Sequence, residues 1–170
     1  NYTSGFPVDF GMYRQPASAS NWNTSVRHMS GKYLKTNNTD QEASYSGIQF
    51  DSNVGWNADG SGSAVQSWMW KQGAGLDIVN YRGTSSSDTS GDWQVIPHNL
   101  AKVPEMIIVK IRDGGSGYWG VYHKGVNGGT NPENYRMLLN DNHTESDGSS
   151  SGYTTWYWND TCLLYTSPSP

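Results

Sequence analysis

Apolar positions in this chain come in short bursts, interrupted every few residues by Gly, Pro, Asn or Ser. No stretch of ten or more residues keeps the three-and-four spacing of a buried helix face, so no significant helix is predicted. Short runs rich in β-branched and aromatic residues are frequent and predict strands. The clearest is Met106–Arg112, apolar on both faces in its first half and alternating in its second, as in a strand leaving a core for a half-exposed surface. Leu76–Tyr81 is predicted as a strand before it and Tyr118–Tyr122 after it. Weaker candidates are Trp93–Ile96, Tyr135–Leu139, Ile48–Phe50 and Val65–Trp70. Turn clusters at 85–91, 113–117, 125–132 and 147–152 separate them. Many short strands at near-regular spacing predict an all-β protein, jelly-roll-like or sandwich-like. Met106–Arg112 is expected to be the central buried strand of its unit, with Ile108→Asp unfolding it.

The pattern is written nearly twice. Pro7 and Pro104 open similar runs, Trp22 and Trp119 follow a Gly- or Ser-rich loop in each, and both pairs stand 97 residues apart. A shared offset at two landmarks predicts tandem units of about a hundred residues. The boundary is placed near Gly73–Gly75, giving a first unit over 1–73 that lacks its opening strands. The second, over 74–162, lacks a closing pair equivalent to Ile48–Phe50 and Val65–Trp70. Residues 163–170 are set apart as a disordered or foreign tail, and the start without Met suggests a fragment of a longer reading frame.

Composition narrows the class. Aromatic residues make up 13% of the chain, with 8 Trp and 11 Tyr, which supplies buried surface that a disordered chain lacks. No apolar run approaches the eighteen or so residues of a membrane-spanning helix, so no membrane partner is expected. A net charge of −4 argues against a nucleic-acid partner, because phosphate binding needs clustered Lys and Arg. Cys162 is the only cysteine, so an intrachain disulfide is excluded and packing must hold the fold.

Several motifs invite a chemical reading that their context denies. Gly115–Gly120 fits G-x-G-x-x-G, but Trp119–Tyr122 after it reads as a strand where a dinucleotide site needs a helix; a hairpin turn is predicted. Gly148–Gly152 fits G-x-S-x-G inside a low-complexity loop, without the strand and helix of a nucleophile elbow. His28, His98, His123 and His143 lack zinc-ligand spacing, and a structural hydrogen-bonding role is expected of His98 and His123. Asn140–Asp147 offers oxygens for Ca²⁺ without the positioned Gly and terminal Glu of a known loop, and reads as a solvated turn. The acidic residues are scattered, so no catalytic residue, cofactor or metal is expected. The aromatics remain. Trp22, Trp119, Trp156, Tyr157 and Trp158 are the candidate glycan-binding residues, as stacking platforms for sugar rings. For Trp119 and Tyr122, inside a patterned strand, core packing is favoured. Trp156-Tyr157-Trp158 alternates, so one face must be exposed or covered by a partner.

Trp68-Met69-Trp70-Lys71-Gln72-Gly73, Asp77-Ile78-Val79-Asn80-Tyr81-Arg82-Gly83, His98-Asn99-Leu100, Pro104–Arg112 and Trp119–His123 together resemble a tandem repeat of marine phage tail-fibre and virion-associated proteins. The resemblance covers about residues 5–162. It implies a non-enzymatic repeat domain of a virion tail fibre or appendage, structural and capable of adhesion to host surface glycan. Other subunits of a fibre are the implied partners, in a homo-oligomer. The alternatives are a tail-associated polysaccharide depolymerase and a pure structural spacer. Phe10-Gly11-Met12-Tyr13 departs from the pattern, and Gly11 is expected to weaken strand pairing in the first unit.

Overall fold

The computed structural model describes residues 2–58, 65–83 and 94–147, together with the backbone of 156–158 and 162–165. The fold is all-β: the helical elements among the described residues are three short 3-10 turns, Arg27–Met29, Val126–Gly129 and Pro132–Asn134. The chain divides into two compact units. Unit 1 comprises Asn1–Ile78 and Arg112–Gly115; unit 2 comprises Val79–Ile111 and Ser116–Pro170.

Unit 1 is built on a five-stranded antiparallel sheet of β2 (Phe10–Arg14), β3 (Asn23–Val26), β4 (Lys32–Lys35), β5 (Ala43–Ser44) and β7 (Gln66–Trp70). Its order is β5-β4-β3-β2-β7, and β1 (Tyr2–Thr3) with β6 (Gly55–Trp56) forms a separate ribbon. On one face of β2 stand Gly11 and Tyr13, directed at a core of Val8, Ile48, Phe50, Trp56 and Ala58. Gly11 does not weaken the sheet. It pairs with Ser25 on one side and Met69 on the other. Its missing side chain is filled by the indole of Trp56, which would lie 2.5 Å from any Cβ placed there. A bulky aromatic from 45 residues away thus occupies the space a strand residue would normally claim.

Strand β3 reads as polar, N-T-S-V, and no apolar run announces it. Thr24 and Ser25 are nonetheless buried, because their hydroxyls donate to the Gly11 carbonyl at 3.0 Å and the Lys32 carbonyl at 2.7 Å. Hydrogen bonding to strand carbonyls is what makes burial of these groups tolerable. Arg27, just past β3, binds three partners. Its Nε donates to Asp9 Oδ1 at 2.8 Å, Nη1 to the Phe50 carbonyl at 2.5 Å and Nη2 to the Val8 carbonyl at 2.7 Å. Arg112–Gly115 joins the same unit through Glu42: the Glu42 N–H donates to the Arg112 carbonyl at 2.7 Å, and Arg112 Nε reaches Glu42 Oε2 at 2.9 Å.

Unit 2 holds a four-stranded antiparallel sheet of order β12-β11-β10-β9. Its strands are β9 (Met106–Val109), β10 (Gly120–His123), β11 (Tyr135–Leu138) and β12 (Ser146–Asp147). A second sheet, β13-β14-β8, joins β8 (Gln94–Pro97), β13 (Trp156–Trp158) and β14 (Cys162–Tyr165); three residues set apart as tail, Leu163–Tyr165, lie in β14. The strand expected at the centre is at the edge. Among the described residues β9 pairs with β10 alone, and Ile108 is 46% exposed while Ile107 is 7% exposed. The central strand is β10, with Val121 and Tyr122 buried on opposite faces. The β9–β10 connection over Gly115–Ser116–Gly117 is the hairpin that the strand-like run after it predicted.

Leu76–Tyr81 is not a strand. A bridge between Gly73 and Leu76 turns the chain, after which Asp77 Oδ1 accepts from its neighbour Ile78 N–H at 3.0 Å and from the Gln72 side-chain amide. An acid bonding the local backbone in this way competes with ladder formation. The turn cluster at 85–91 and the G-x-S-x-G motif at 148–152 lie outside the described residues.

The two meanders repeat each other in detail. Asn23 pairs with Lys35 in unit 1, and Gly120 with Leu138 in unit 2; Lys32 pairs with Ser44, and Tyr135 with Asp147. The Trp22 carbonyl accepts from Thr36 N–H at 2.9 Å, and the Trp119 carbonyl from Leu139 N–H at 3.0 Å. Trp22 N–H donates to Asn37 Oδ1 at 3.1 Å, and Trp119 N–H to Asn140 Oδ1 at 2.8 Å. An acid–base pair closes each first hairpin: Asp9 with Arg27, Glu105 with Lys124.

Candidate functional site

The cross-strand pairing of β2 with β7 sets the aromatic chemistry of unit 1. Phe10 stands opposite Trp70, Met12 opposite Trp68 and Arg14 opposite Gln66, all on the sheet face away from Trp56. Directly opposed residues on one face touch. Phe10 and Trp70 rings lie 4.9 Å apart, and Trp22 folds from the start of β3 onto Trp68 at 4.6 Å. The Arg14 guanidinium sits over the Trp22 ring at 5.4 Å, within cation–π range, and its Nε is buried without a hydrogen-bond partner. Beside Trp22, Asn37 donates to Asn21 Oδ1 at 2.9 Å. The result is a row of indoles bordered by two amides, a guanidinium and Gln66. Trp70 is 38% exposed at its end.

Trp119, the counterpart of Trp22, is placed differently. It is buried, as is Tyr122, the core role favoured for both. Strand β13 brings Trp156, Tyr157 and Trp158 into register with Tyr165, Leu164 and Leu163, but their side chains lie outside the described residues. Contact with Trp22 reveals Trp68 and Arg14, and the adjoining Phe10–Trp70 pair adds two more, as site residues that sequence reasoning did not single out. The signal available for them was alternation in Gln66–Trp70, which sends both indoles to one side. A separate groove of about 290 Å³ in unit 1 is lined by Tyr2, Gln49, Asp51, Ser52, Trp56 and Asn57.

The acids with displaced ionisation are engaged by bases. Burial pushes Asp9 up, but hydrogen bonds from Arg27 and from Gln72 N–H outweigh it and hold the carboxyl below its ordinary value. Burial likewise raises Glu42, and the bonds from Lys32 and Arg112 overcome it, leaving that carboxyl lowered too. Lys124 lowers Glu105, and His143 lowers Asp141. The oxygens of Asn140–Asp147 serve protein groups: Asn140 holds Trp119, Asp141 lies 2.7 Å from His143 Nδ1, and Glu145 accepts from Asn127 N–H at 2.9 Å. His98 and His123 accept through Nδ1 from Leu100 and Gly125 N–H at 3.3 and 3.1 Å.

These features define an all-β domain of two compact units with an aromatic sheet face. The chain belongs to the family described as a domain of unknown function, DUF7483, which matches residues 3–163 and so spans both units. No curated protein and no solved structure matches it.

Proposed function

We propose that this chain is a non-enzymatic tandem-repeat domain of a phage tail fibre or related virion appendage, structural in role and adhesive toward host surface glycan. The observation that carries the reading is the recurrence in both units of the same tryptophan–asparagine bond and the same acid–base closure of the first hairpin. A repeated unit of this kind extends a fibre by addition of copies. Copies of the chain in one appendage are its partners.

The adhesive part rests on the Trp22–Trp68 pair. Indole faces beside amide and guanidinium groups match the alternating apolar and hydroxyl surfaces of a sugar ring. Trp156–Trp158 in β13 is a second candidate surface. A glycan array with the full chain tests the proposal. Binding that is lost in Trp22→Ala, with the urea unfolding midpoint kept, supports it; release of reducing ends from a bound polysaccharide, or glycan binding indifferent to Trp22 and to Trp156–Trp158, overturns it.

A further inference from the structure

In unit 1 the outer edge of the first meander strand is covered. Strand β7 pairs along all five residues of β2, from Phe10 opposite Trp70 to Arg14 opposite Gln66. Asp9 fixes its end: the Asp9 N–H donates to the Trp70 carbonyl at 2.9 Å, and Asp9 Oδ2 accepts from Gln72 N–H at 2.8 Å. The carboxylate therefore does two things, binding Arg27 with one oxygen and the closing strand with the other.

In unit 2 the same edge is open among the described residues. Strand β9 corresponds to β2 by its pairing with β10 and by the closure at its start, where the Glu105 carbonyl accepts from Lys124 N–H at 2.9 Å as the Asp9 carbonyl accepts from Arg27 N–H at 2.8 Å. No described strand pairs with β9 on its other side. Glu105 binds Lys124 Nζ through Oε1 at 2.6 Å, and its second oxygen has no partner among the described residues. The positions that answer to Phe10 and Met12, which face Trp70 and Trp68, are Met106 and Ile108. They are 51% and 46% exposed. An open ladder edge flanked by two exposed apolar side chains and an acid with a spare oxygen is a receptor for an added strand.

We infer that the outer edge of β9 binds an extended W-x-W strand of the β7 type, presented by another module, with its tryptophans on Met106 and Ile108 and a backbone N–H just beyond them on Glu105. The inference rests on the repeat reading above and is independent of its adhesive part. The occupant is specified by what covers the counterpart edge: two indoles with one residue between them, followed two positions later by a backbone N–H that binds the carboxylate. The same aromatic spacing would lay one indole on each exposed side chain of β9.

The test uses the full chain and a synthetic peptide with the sequence of residues 65–72, Val-Gln-Ser-Trp-Met-Trp-Lys-Gln. Backbone amide exchange over Glu105–Val109 should slow by about tenfold or more on saturation with peptide, while Phe10–Arg14, already paired on both sides, stays unchanged. Glu105→Ala should weaken binding about tenfold, the scale of one hydrogen bond to a charged group. Because Glu105 is solvent-exposed, that variant retains the fold. Ile108→Lys should weaken it as well. Protection that develops elsewhere, equal binding of a peptide with both tryptophans changed to Ser, or protection of β9 in the absence of peptide through self-association would each overturn the inference. Glycan binding is read separately, so its loss leaves this outcome untouched.

Discussion

Arg27 is the side chain on which most of unit 1's hairpin closure depends. It holds one carboxylate and two carbonyls at once, and a lysine in its place has neither the fork nor the reach for all three. Arg27→Lys is therefore expected to destabilise unit 1 by about 2 kcal/mol, read as a lower urea midpoint by tryptophan fluorescence. Gly11→Ala should cost about 1–3 kcal/mol by forcing the Trp56 indole out of place. Acid acts through the same residues. Asp9 and Glu42 have folded values below their ordinary ones, so their contribution is complete above about pH 4–5 and fades as pH falls through the folded values. Unit 1 should lose stability as pH falls below the ordinary carboxylate range, and Asp9→Asn with Glu42→Gln should flatten that dependence in urea titrations at each pH. None of this was legible residue by residue. Gly11 reads as a defect until Trp56 is known to stand against it, and nothing local in Asn23–Val26 announces burial.

At the scale of elements, the distinction that matters is between an edge strand and a central one. The apolar run at 106–109 is the strongest in the chain, yet its neighbour β10 carries the buried position on both faces. Apolar content measures how much surface a strand can bury; what lies on its far side is decided by residues distant in sequence. Ile107→Ala should accordingly destabilise unit 2 by about 2–4 kcal/mol, whereas Ile108→Asp should be tolerated to within about 1 kcal/mol. Thermal unfolding of the two variants side by side checks the order, and equal losses would contradict it. Strand existence was legible at Val65–Trp70, Tyr118–Tyr122 and Tyr135–Leu139, where β-branched and aromatic residues sit between turn clusters. It was not legible at β1, β5 and β12, which are two residues long and are defined by their partners. Leu76–Tyr81 failed for the converse reason: its apolar spacing suits a strand, but Asp77 bonds the local backbone instead.

For the whole molecule, the all-β class followed from interruptions alone, since Gly, Pro and Asn recur too often for a helix to form. The hydrogen bonds at Trp22 and Trp119 are alike: each residue is pinned through its backbone N–H by an Asn side chain, Asn37 and Asn140. Which segments make up each compact unit was not legible, because Arg112–Gly115 joins unit 1 from the far side of β9, a strand of unit 2. A fragment of residues 1–78 should therefore be less stable than unit 1 in the intact chain, by about 2–3 kcal/mol, and Arg112→Ala in the full chain should reproduce most of that loss. Chemical denaturation of the fragment, the variant and the parent chain makes the comparison; a fragment as stable as the parent would refute it.

The tie between Glu42 and Arg112 also sets an order in time. During synthesis Glu42 is made 70 residues before its partner, and all of Val79–Ile111 must leave the ribosome in between. At roughly 5–20 residues per second that interval lasts several seconds. In its later part, from Ile78 until Arg112 is made, the nascent chain carries a nearly complete unit 1 in which Glu42 has Lys32 but not yet Arg112 for a counter-ion. The final step of the first unit's folding is thus deferred until β8 and β9 of the second have been translated.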